Sequence, residues 1–245
     1  MNAKKTVERQ TGVALWRQIA DLIRLSISNG DHDRTGLLPP ETVLAGQFGV
    51  NRHTVRSALA ALAEEGLVQA IQGRGTMIRR KERLSFPISK RTRFSQGLGD
   101  QARDIEVKLL ARDIVPAEAD VAAGLAIAVA TPCIRLELVS SADGRPVSCS
   151  TSYFLSERFP LMAEHFEKTR SITRAFAAHG LADYVRASTE LVARHADAAE
   201  LSLLRLSPGA IVIEATAVNA DPDGVPIQFA RTRFAADRVK LKIET

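Results

Sequence analysis

Polar and cationic side chains are concentrated at the start of one short segment that leads into an apolar run. Asn51 has the residue type that caps a helix by accepting a backbone N–H, and the first turn and a half of that helix would then carry Arg52, His53, Thr54 and Arg56. Guanidinium, imidazole and hydroxyl groups at the start of an exposed helix can contact base edges and phosphates in a major groove. The segment therefore predicts a recognition helix and a DNA-binding chain.

The surrounding pattern supplies the elements that would position this helix. Apolar residues at helical spacing over residues 13–28 predict a first helix, and Pro40-Glu41 opens a second one. The capped third helix ends before Gly66, and residues 67–78 then alternate as two strands. The turn between these strands is Gly73-Arg74-Gly75, so a wing would carry Arg74 to a phosphate backbone or minor groove.

Composition narrows the class of protein. The chain has 245 residues, 45% hydrophobic content and a net charge of +5, which fit a globular protein with an anionic partner. No signal peptide and no apolar run of about 20 residues is visible, so we expect a cytoplasmic protein without a membrane span. Cys133 and Cys149 lack CxxC spacing and read as buried free thiols, and the five histidines lack ligand spacing. We therefore expect no metal and no cofactor.

The composition and the predicted secondary structure of the chain change after the wing. Residues 79–91 are charged, contain Pro87 and predict a basic linker, either a solvated connector or a source of extra phosphate contacts. From residue 92 onward, two predicted hairpins alternate with short helices. This pattern predicts an α+β domain with a mostly antiparallel sheet.

The N-terminal motifs resemble those of GntR-family bacterial repressors. The matching segments are Leu38-Pro39-Pro40-Glu41, Phe48-Gly49-Val50-Asn51-Arg52-His53-Thr54-Val55-Arg56, Glu65-Gly66-Leu67-Val68 and Gln72-Gly73-Arg74-Gly75-Thr76. The resemblance implies a winged helix-turn-helix in residues 1–78. It also implies DNA contacts from Glu41, Asn51, Arg52, His53, Thr54, Arg56, Gly73, Arg74 and Gly75. Thr42 stands where many members have arginine, so one expected contact would be missing or supplied by His53 or the linker.

The C-terminal motifs resemble the UTRA sensor domain of the HutC-like subfamily, whose fold is similar to that of chorismate lyase. They are Thr92-Arg93-Phe94-Ser95, Asp143-Gly144-Arg145-Pro146-Val147, Tyr153-Phe154, Phe159-Pro160, Asp223-Gly224-Val225-Pro226 and Asp237-Arg238-Val239. Within that subfamily the chain looks most like phosphonate-metabolism regulators of the PhnF type. Residues 92–245 would then bind an effector.

Candidate effector-binding residues follow from the chemistry of anion recognition, for which arginine is the preferred side chain. The resemblance assigns Arg93 and Ser95 to an effector loop, and Tyr153 to a position that often lines the pocket. The remaining candidates are Arg135, Arg186, Arg231 and Arg233. Four of them have a structural alternative: a surface ion pair for Arg135 with Glu137, ordinary core for Tyr153, and a solvated strand face for Arg231 and Arg233.

Together these features predict a ligand-responsive regulator that binds double-stranded operator DNA as a homodimer, since two-fold symmetry matches a palindromic site. We predict a repressor of phosphonate uptake or metabolism genes, relieved by a phosphonate or phosphate-like effector. A sugar phosphate or urocanate remains the alternative effector. An enzyme with the lyase-like fold is not expected, because no nucleophile–base pair is visible in the sequence.

Overall fold

The computed structural model describes residues 14–28, 30–32, 34–79, 83–89 and 101–243. The chain divides into two compact units, residues 1–82 and residues 83–245. Each unit has its own hydrophobic core, and the two are described separately.

The N-terminal unit contains three helices followed by a hairpin. The helices are α1 (Leu15–Ser28), α2 (Glu41–Phe48) and α3 (Arg52–Glu64), and the antiparallel strands are β1 (Val68–Ile71) and β2 (Gly75–Ile78). Gly49 ends α2 at φ +66°, a left-handed conformation that glycine adopts without strain. One core joins the helices to β1 through residues such as Ile19, Ile23, Leu44, Val55, Leu62 and Val68.

A six-stranded antiparallel sheet forms the centre of the C-terminal unit. Its strands are β4 (Ile105–Pro116), β5 (Pro132–Ala142), β6 (Arg145–Leu155), β7 (Val185–His195), β8 (Ile211–Ala220) and β9 (Pro226–Ala235). Their order across the sheet is β4-β5-β6-β9-β8-β7. The helices of this unit are α4 (Ala119–Leu125), α5 (Met162–Thr169), α6 (Ile172–Ala178) and α7 (Ala198–Leu203).

The prediction that residues 79–91 form a linker was partly wrong. Leu84–Ile88 forms strand β3, which pairs in parallel with β10 (Val239–Ile243), and Phe86 is buried against Phe234 and Val239. The alternation of Leu84, Phe86 and Ile88 is a short strand pattern that flanking charges and Pro87 conceal. Pro87 is tolerated because β3 pairs with a single strand, and an edge strand can lack one donor.

Helices cover both faces of the large sheet. On the first face, α5 and α6 pack over strand residues such as Leu136, Leu138 and Phe154. On the second face, α4 packs over Cys133, Tyr153 and Phe229, and Leu204, which follows α7, packs near Cys149. Alternate residues of each strand point to opposite faces. The face on which a polar strand residue lies therefore decides what it can contact.

Both cysteines are buried free thiols, as predicted. They lie on the second face of the sheet, and burial raises the pKa of each thiol.

Candidate nucleic-acid interface and effector cavity

The start of α3 is fixed by its own side chains. The Oδ1 atom of Asn51 accepts hydrogen bonds from the backbone N–H of Thr54 and from the Thr54 hydroxyl, both at 2.8 Å. Asn51 is therefore the helix cap that the sequence predicted. This arrangement leaves the exposed side chains of Arg52 and His53 on the first turn of the helix.

Two arginines of α3 lie beside one carboxylate. The Nη2 atom of Arg56 lies 3.1 Å from Oε2 of Glu41, and its Nε lies 3.4 Å from Oε1. The Nη2 atom of Arg52 lies 3.8 Å from the same Oε2. Both arginine side chains remain 60% exposed, so Glu41 gathers two cations without burying them. Because a carboxylate repels phosphate, this geometry favours a role for Glu41 in positioning the arginines.

The wing presents a third arginine. The turn between β1 and β2 places Gly73 at φ +76° and Gly75 at φ +92°, with exposed Arg74 between them. Nothing lies within 4 Å of a Cβ built on either glycine, so glycine is required there for backbone conformation rather than for space. The hairpin is anchored to the segment before α2, where the Leu38 N–H donates to the Thr76 carbonyl at 2.9 Å.

A cavity of about 120 Å³ lies between the first face of the large sheet and helices α5 and α6. This volume equals that of about four water molecules in the liquid, at about 30 Å³ each. Its polar lining includes Ser150, Ser152, Thr173, Arg186, Asn219 and Gln228. Among the described lining residues there is no aspartate or glutamate.

Arg186 supplies a partly buried cation to this cavity. Burial lowers the pKa of its guanidinium, but arginine stays protonated in proteins at neutral pH. Its Nη1 lies 3.3 Å from the Thr189 hydroxyl, and its Nε is buried without a hydrogen-bond partner in the described part of the chain. A buried donor without a hydrogen bond costs free energy. Arg186 is therefore suited to bind an anionic ligand, to which its Nε can donate.

A chain of buried amides and a hydroxyl forms the floor of the cavity. The Asn219 amide donates to Gln228 Oε1 at 2.7 Å, and the Gln228 amide donates to the Ser152 hydroxyl at 3.0 Å. All three residues are at most 6% exposed. The Oδ1 atom of Asn219 has no partner within the described residues, so the cavity offers one free acceptor near its free donor.

Comparison with known families assigns each of the two units to a known domain type. The model for bacterial regulatory proteins of the gntR family matches residues 15–78, and the model for the UTRA domain matches residues 100–240. The chain belongs to the gntR family and carries a UTRA domain. These matches confirm the family and the α+β fold that the sequence motifs predicted.

The relatives of this GntR-type chain are themselves transcriptional regulators. The uncharacterized HTH-type transcriptional regulator RB1450 of Rhizobium meliloti is 67% identical over 98% of this chain and 99% of its own length. The HTH-type transcriptional repressor PhnF of Mycolicibacterium smegmatis is 30% identical over 82% of this chain and 81% of its own length. The crystal structure of PhnF from Mycobacterium smegmatis superposes with a TM-score of 0.62 at 26% identity, covering 93% of this chain and 98% of that one.

GntR-type regulators bind DNA, and their UTRA domains bind small-molecule effectors. In the described residues, no helix is both long enough and apolar enough to cross a membrane.

The UTRA domain separates the effector candidates that the sequence grouped together. Arg93 and Ser95 lie outside the described residues. Of the other candidates, Arg186 lines the cavity, whereas the second face of the sheet carries Arg135, Tyr153, Arg231 and Arg233. The structure therefore does not bring the candidates together, because strand alternation turns these four away from the cavity.

The three arginines of the second face already have carboxylate partners. The Nη2 atom of Arg135 lies 2.8 Å from Oδ2 of Asp113. Arg231 pairs with Asp120, and Nε of Arg233 lies 3.4 Å from Oε1 of Glu200. Arg231 and Arg233 do share a strand face, but each is neutralised there. Tyr153 packs in the core against Phe229, with ring centroids 6.2 Å apart.

Sequence reasoning missed the neutral part of the UTRA cavity. Ser150 and Ser152 lie two positions apart on β6, and Asn219 and Gln228 face each other across the β8–β9 hairpin. Polar residues repeating at every second position inside apolar strands are a detectable sign of a polar pocket on one sheet face.

Proposed function

We propose that this chain is a ligand-responsive repressor that binds operator DNA as a homodimer and is released from it by a small anion. The observation that carries the DNA-binding part is the exposed pair Arg52 and Arg56, gathered by Glu41 at the start of a capped helix. The repressor named PhnF among its relatives supports the direction of control. Its DNA-binding domain would be residues 1–78 and its sensing domain residues 92–245.

In this proposal α3 enters the major groove. Arg52, His53 and Thr54 face base edges and phosphates, Arg56 contacts the backbone or a base from the next turn, and Arg74 reaches phosphate or the minor groove. Asn51 supports the helix start, and Gly73 and Gly75 allow the turn of the wing. The DNA partner implies action in the cytoplasm, as the sequence predicted.

The effector would occupy the cavity beside Arg186. The unpaired guanidinium donor and the absence of acidic groups from the described lining favour an anion. The PhnF-type resemblance favours a phosphonate or phosphate-like compound and control of phosphonate genes, and a sugar phosphate or urocanate is the alternative. Release requires the anion to bind more tightly to a form in which the two winged helices do not fit the operator.

The experiment selects operator duplexes from a random pool with the full-length chain and then measures binding by fluorescence anisotropy. We expect Arg52→Ala to weaken selected-site binding by about 1–3 kcal/mol per half-site, the cost of a lost base contact. Arg174→Ala is the matched control, because it removes an arginine that is also exposed, from α6. Equal affinities for wild type and Arg52→Ala would show that α3 is not the recognition helix.

Effector response is measured on the same complex. Phosphonates, phosphate, sugar phosphates and urocanate are titrated against bound operator, and we expect at least one anion to lower its affinity. An Arg186→Gln chain should bind operator normally and lose this response. If every compound leaves the complex unchanged, the repressor–effector part of the proposal is wrong.

A further inference from the structure

We propose that the UTRA sheets of two copies of this chain join edge to edge, with β7 of one copy pairing antiparallel with β7 of the other about a two-fold axis at Leu191 or Val192. This inference rests on the proposed homodimer and names the surface through which it forms. A two-fold interface of this kind matches the symmetry of a palindromic operator.

The two edges of the six-stranded sheet differ in their protection against pairing with another chain. Strands β4 and β7 each pair with a single strand in the described part of the chain. In β4 the register with β5 shifts between Leu109 and Ala111, and the strand carries the exposed Lys108 and ends at Pro116. Bulges, lysines and prolines are features that keep an edge strand from pairing further. The β4 edge is therefore protected.

Most of the β7 edge lacks these features. From Ser188 to His195 its register with β8 is uninterrupted, and this segment contains neither lysine nor proline. Three successive apolar residues, 191–193, are exposed there, with Leu191 at 37% and Val192 at 49%. A bulge-free edge offers its outer backbone N–H and C=O groups to another strand, and apolar side chains gain from being covered. The β7 edge is therefore a surface that fits an added strand.

Symmetry and charge identify a second copy of β7 as that strand. A two-fold axis normal to the sheet pairs a strand antiparallel with its copy and keeps each side chain on its own face. An axis at Glu190 would place two glutamates opposite each other, which is unfavourable. An axis at Leu191 or Val192 instead places Glu190 diagonally or directly opposite Arg194 of the partner subunit. Either of these two registers also covers the exposed apolar residues of both copies.

The surroundings of Arg194 allow this additional carboxylate to approach. Its guanidinium donates to Glu200 and to Glu214, both at 2.6 Å, and the Nε of Arg233 lies 3.4 Å from Glu200. Two arginines thus balance two carboxylates, and no net negative charge in this group repels Glu190 of the other copy. The Arg194 side chain is 34% exposed, so it can be reached from the edge.

Disulfide formation between single cysteines tests the geometry on the full-length chain. A residue at the two-fold axis has its Cβ about 4.5–5.5 Å from that of its copy, close to the Cβ separation of a disulfide. The two copies of position 188 would be about 20 Å or more apart. On oxidation we expect covalent dimers from Leu191→Cys or Val192→Cys. Ser188→Cys should give none above the wild-type background, and neither should Ile114→Cys, which is 70% exposed but lies on β4.

Charge variants test the affinity of the dimer by sedimentation velocity over a dilution series. Leu191→Lys should raise the dissociation constant at least about tenfold, because it places two lysines at an apolar edge. Glu190→Arg should raise it at least about threefold, because it brings an arginine towards Arg194 of the partner subunit. Glu106→Arg makes the same charge change at an exposed position of β4 and should leave the dimer unchanged. Thermal unfolding checks each variant, and the cysteine variants decide the question even if Leu191→Lys does not fold.

The outcomes separate this inference from the proposed function. A dimer that is unaffected by Leu191→Lys, or covalent dimers from Ile114→Cys and from neither apolar β7 position, would overturn the β7 interface while leaving the proposed homodimer. A wild-type chain that is monomeric both in sedimentation and on its operator would overturn both. If Leu191→Lys loses affinity for a duplex with two half-sites and keeps its affinity for a single half-site, both are supported.

Discussion

Gly124 lies where α4 packs against β9, and a single added methyl group there should destabilise the UTRA domain. A Cβ on Gly124 would lie 2.3 Å from Cδ2 and 2.9 Å from Cε2 of the Phe229 ring, whereas ordinary van der Waals contacts are 3.4–4 Å. Phe229 is 4% exposed and packed among Val121, Leu125 and Tyr153, so the ring has little room to move. Overpacking of this kind costs about 1–3 kcal/mol.

The higher helix propensity of alanine opposes that cost, and the difference between the two gives the net change in stability. Replacing glycine by alanine within a helix stabilises it by about 1 kcal/mol, so Gly124→Ala should destabilise by a net amount of up to about 2 kcal/mol. Gly46→Ala in α2 is the matched control, because a Cβ there meets nothing within 4 Å. That variant should be stabilised by about 0.5–1 kcal/mol. Chemical denaturation followed by circular dichroism gives both values.

A double-mutant cycle tests the cause. Phe229→Val removes the two ring carbons that the new methyl group would meet, so Gly124→Ala in that background should cost nothing or stabilise. The coupling energy should be about 1–3 kcal/mol. The same loss in both backgrounds, or a stabilising Gly124→Ala in the wild-type chain, would show that α4 does not approach β9 this closely.

Two further predictions concern charges. Glu200 is buried and accepts hydrogen bonds from Arg194 at 2.6 and 2.8 Å; these bonds, opposed by burial, lower the pKa of its carboxyl. Its contribution to stability should therefore be complete above the unfolded pKa of about 4.3 and be lost as pH falls through the lower folded pKa. The melting-temperature deficit of Glu200→Gln should accordingly be largest near neutral pH and shrink below about pH 4; a deficit independent of pH would contradict this. Arg74→Ala should weaken operator and random duplexes alike and reduce the slope of log affinity against log salt by about 1, whereas a loss confined to the operator would indicate base recognition by the wing.

Most of the N-terminal unit could be predicted from the sequence because its boundaries are marked by local chemistry. Asn51 caps α3 by a bond to its near neighbour Thr54, and Gly49 ends α2 through its own backbone conformation. Neither signal depends on residues far along the chain. Strand β3 was missed because flanking charges and Pro87 conceal its alternation, and because its partner β10 lies about 150 residues later, a parallel pairing that no local pattern predicts.

The sequence could not sort the effector candidates by position, because residue type does not identify a sheet face. Arg186 and Arg233 are chemically alike, and both lie on strands of one sheet. The packing of α5 and α6 on one face and of α4 and α7 on the other determines that the first lines a cavity and the second meets Glu200. The sequence shows neither which face each helix covers nor where a gap is left.

The partners of each arginine distinguish those held in an ion pair within the domain from those whose contacts allow them to bind a ligand. Arg135, Arg231 and Arg233 would each have to surrender a carboxylate to bind an effector, and the abandoned acid would then repel the incoming anion. Arg52 and Arg56 also have an acidic neighbour, Glu41, but they are exposed, and solvent weakens that interaction enough for DNA phosphates to compete. Arg186 is partly buried, has no acidic partner in the described residues, and keeps a buried Nε donor without a hydrogen bond, so an anion can bind there without displacing a carboxylate. An anion that binds there supplies a hydrogen-bond partner to a donor that is unpaired in the free protein. The free energy gained in this way favours the ligand-bound form of the sensor.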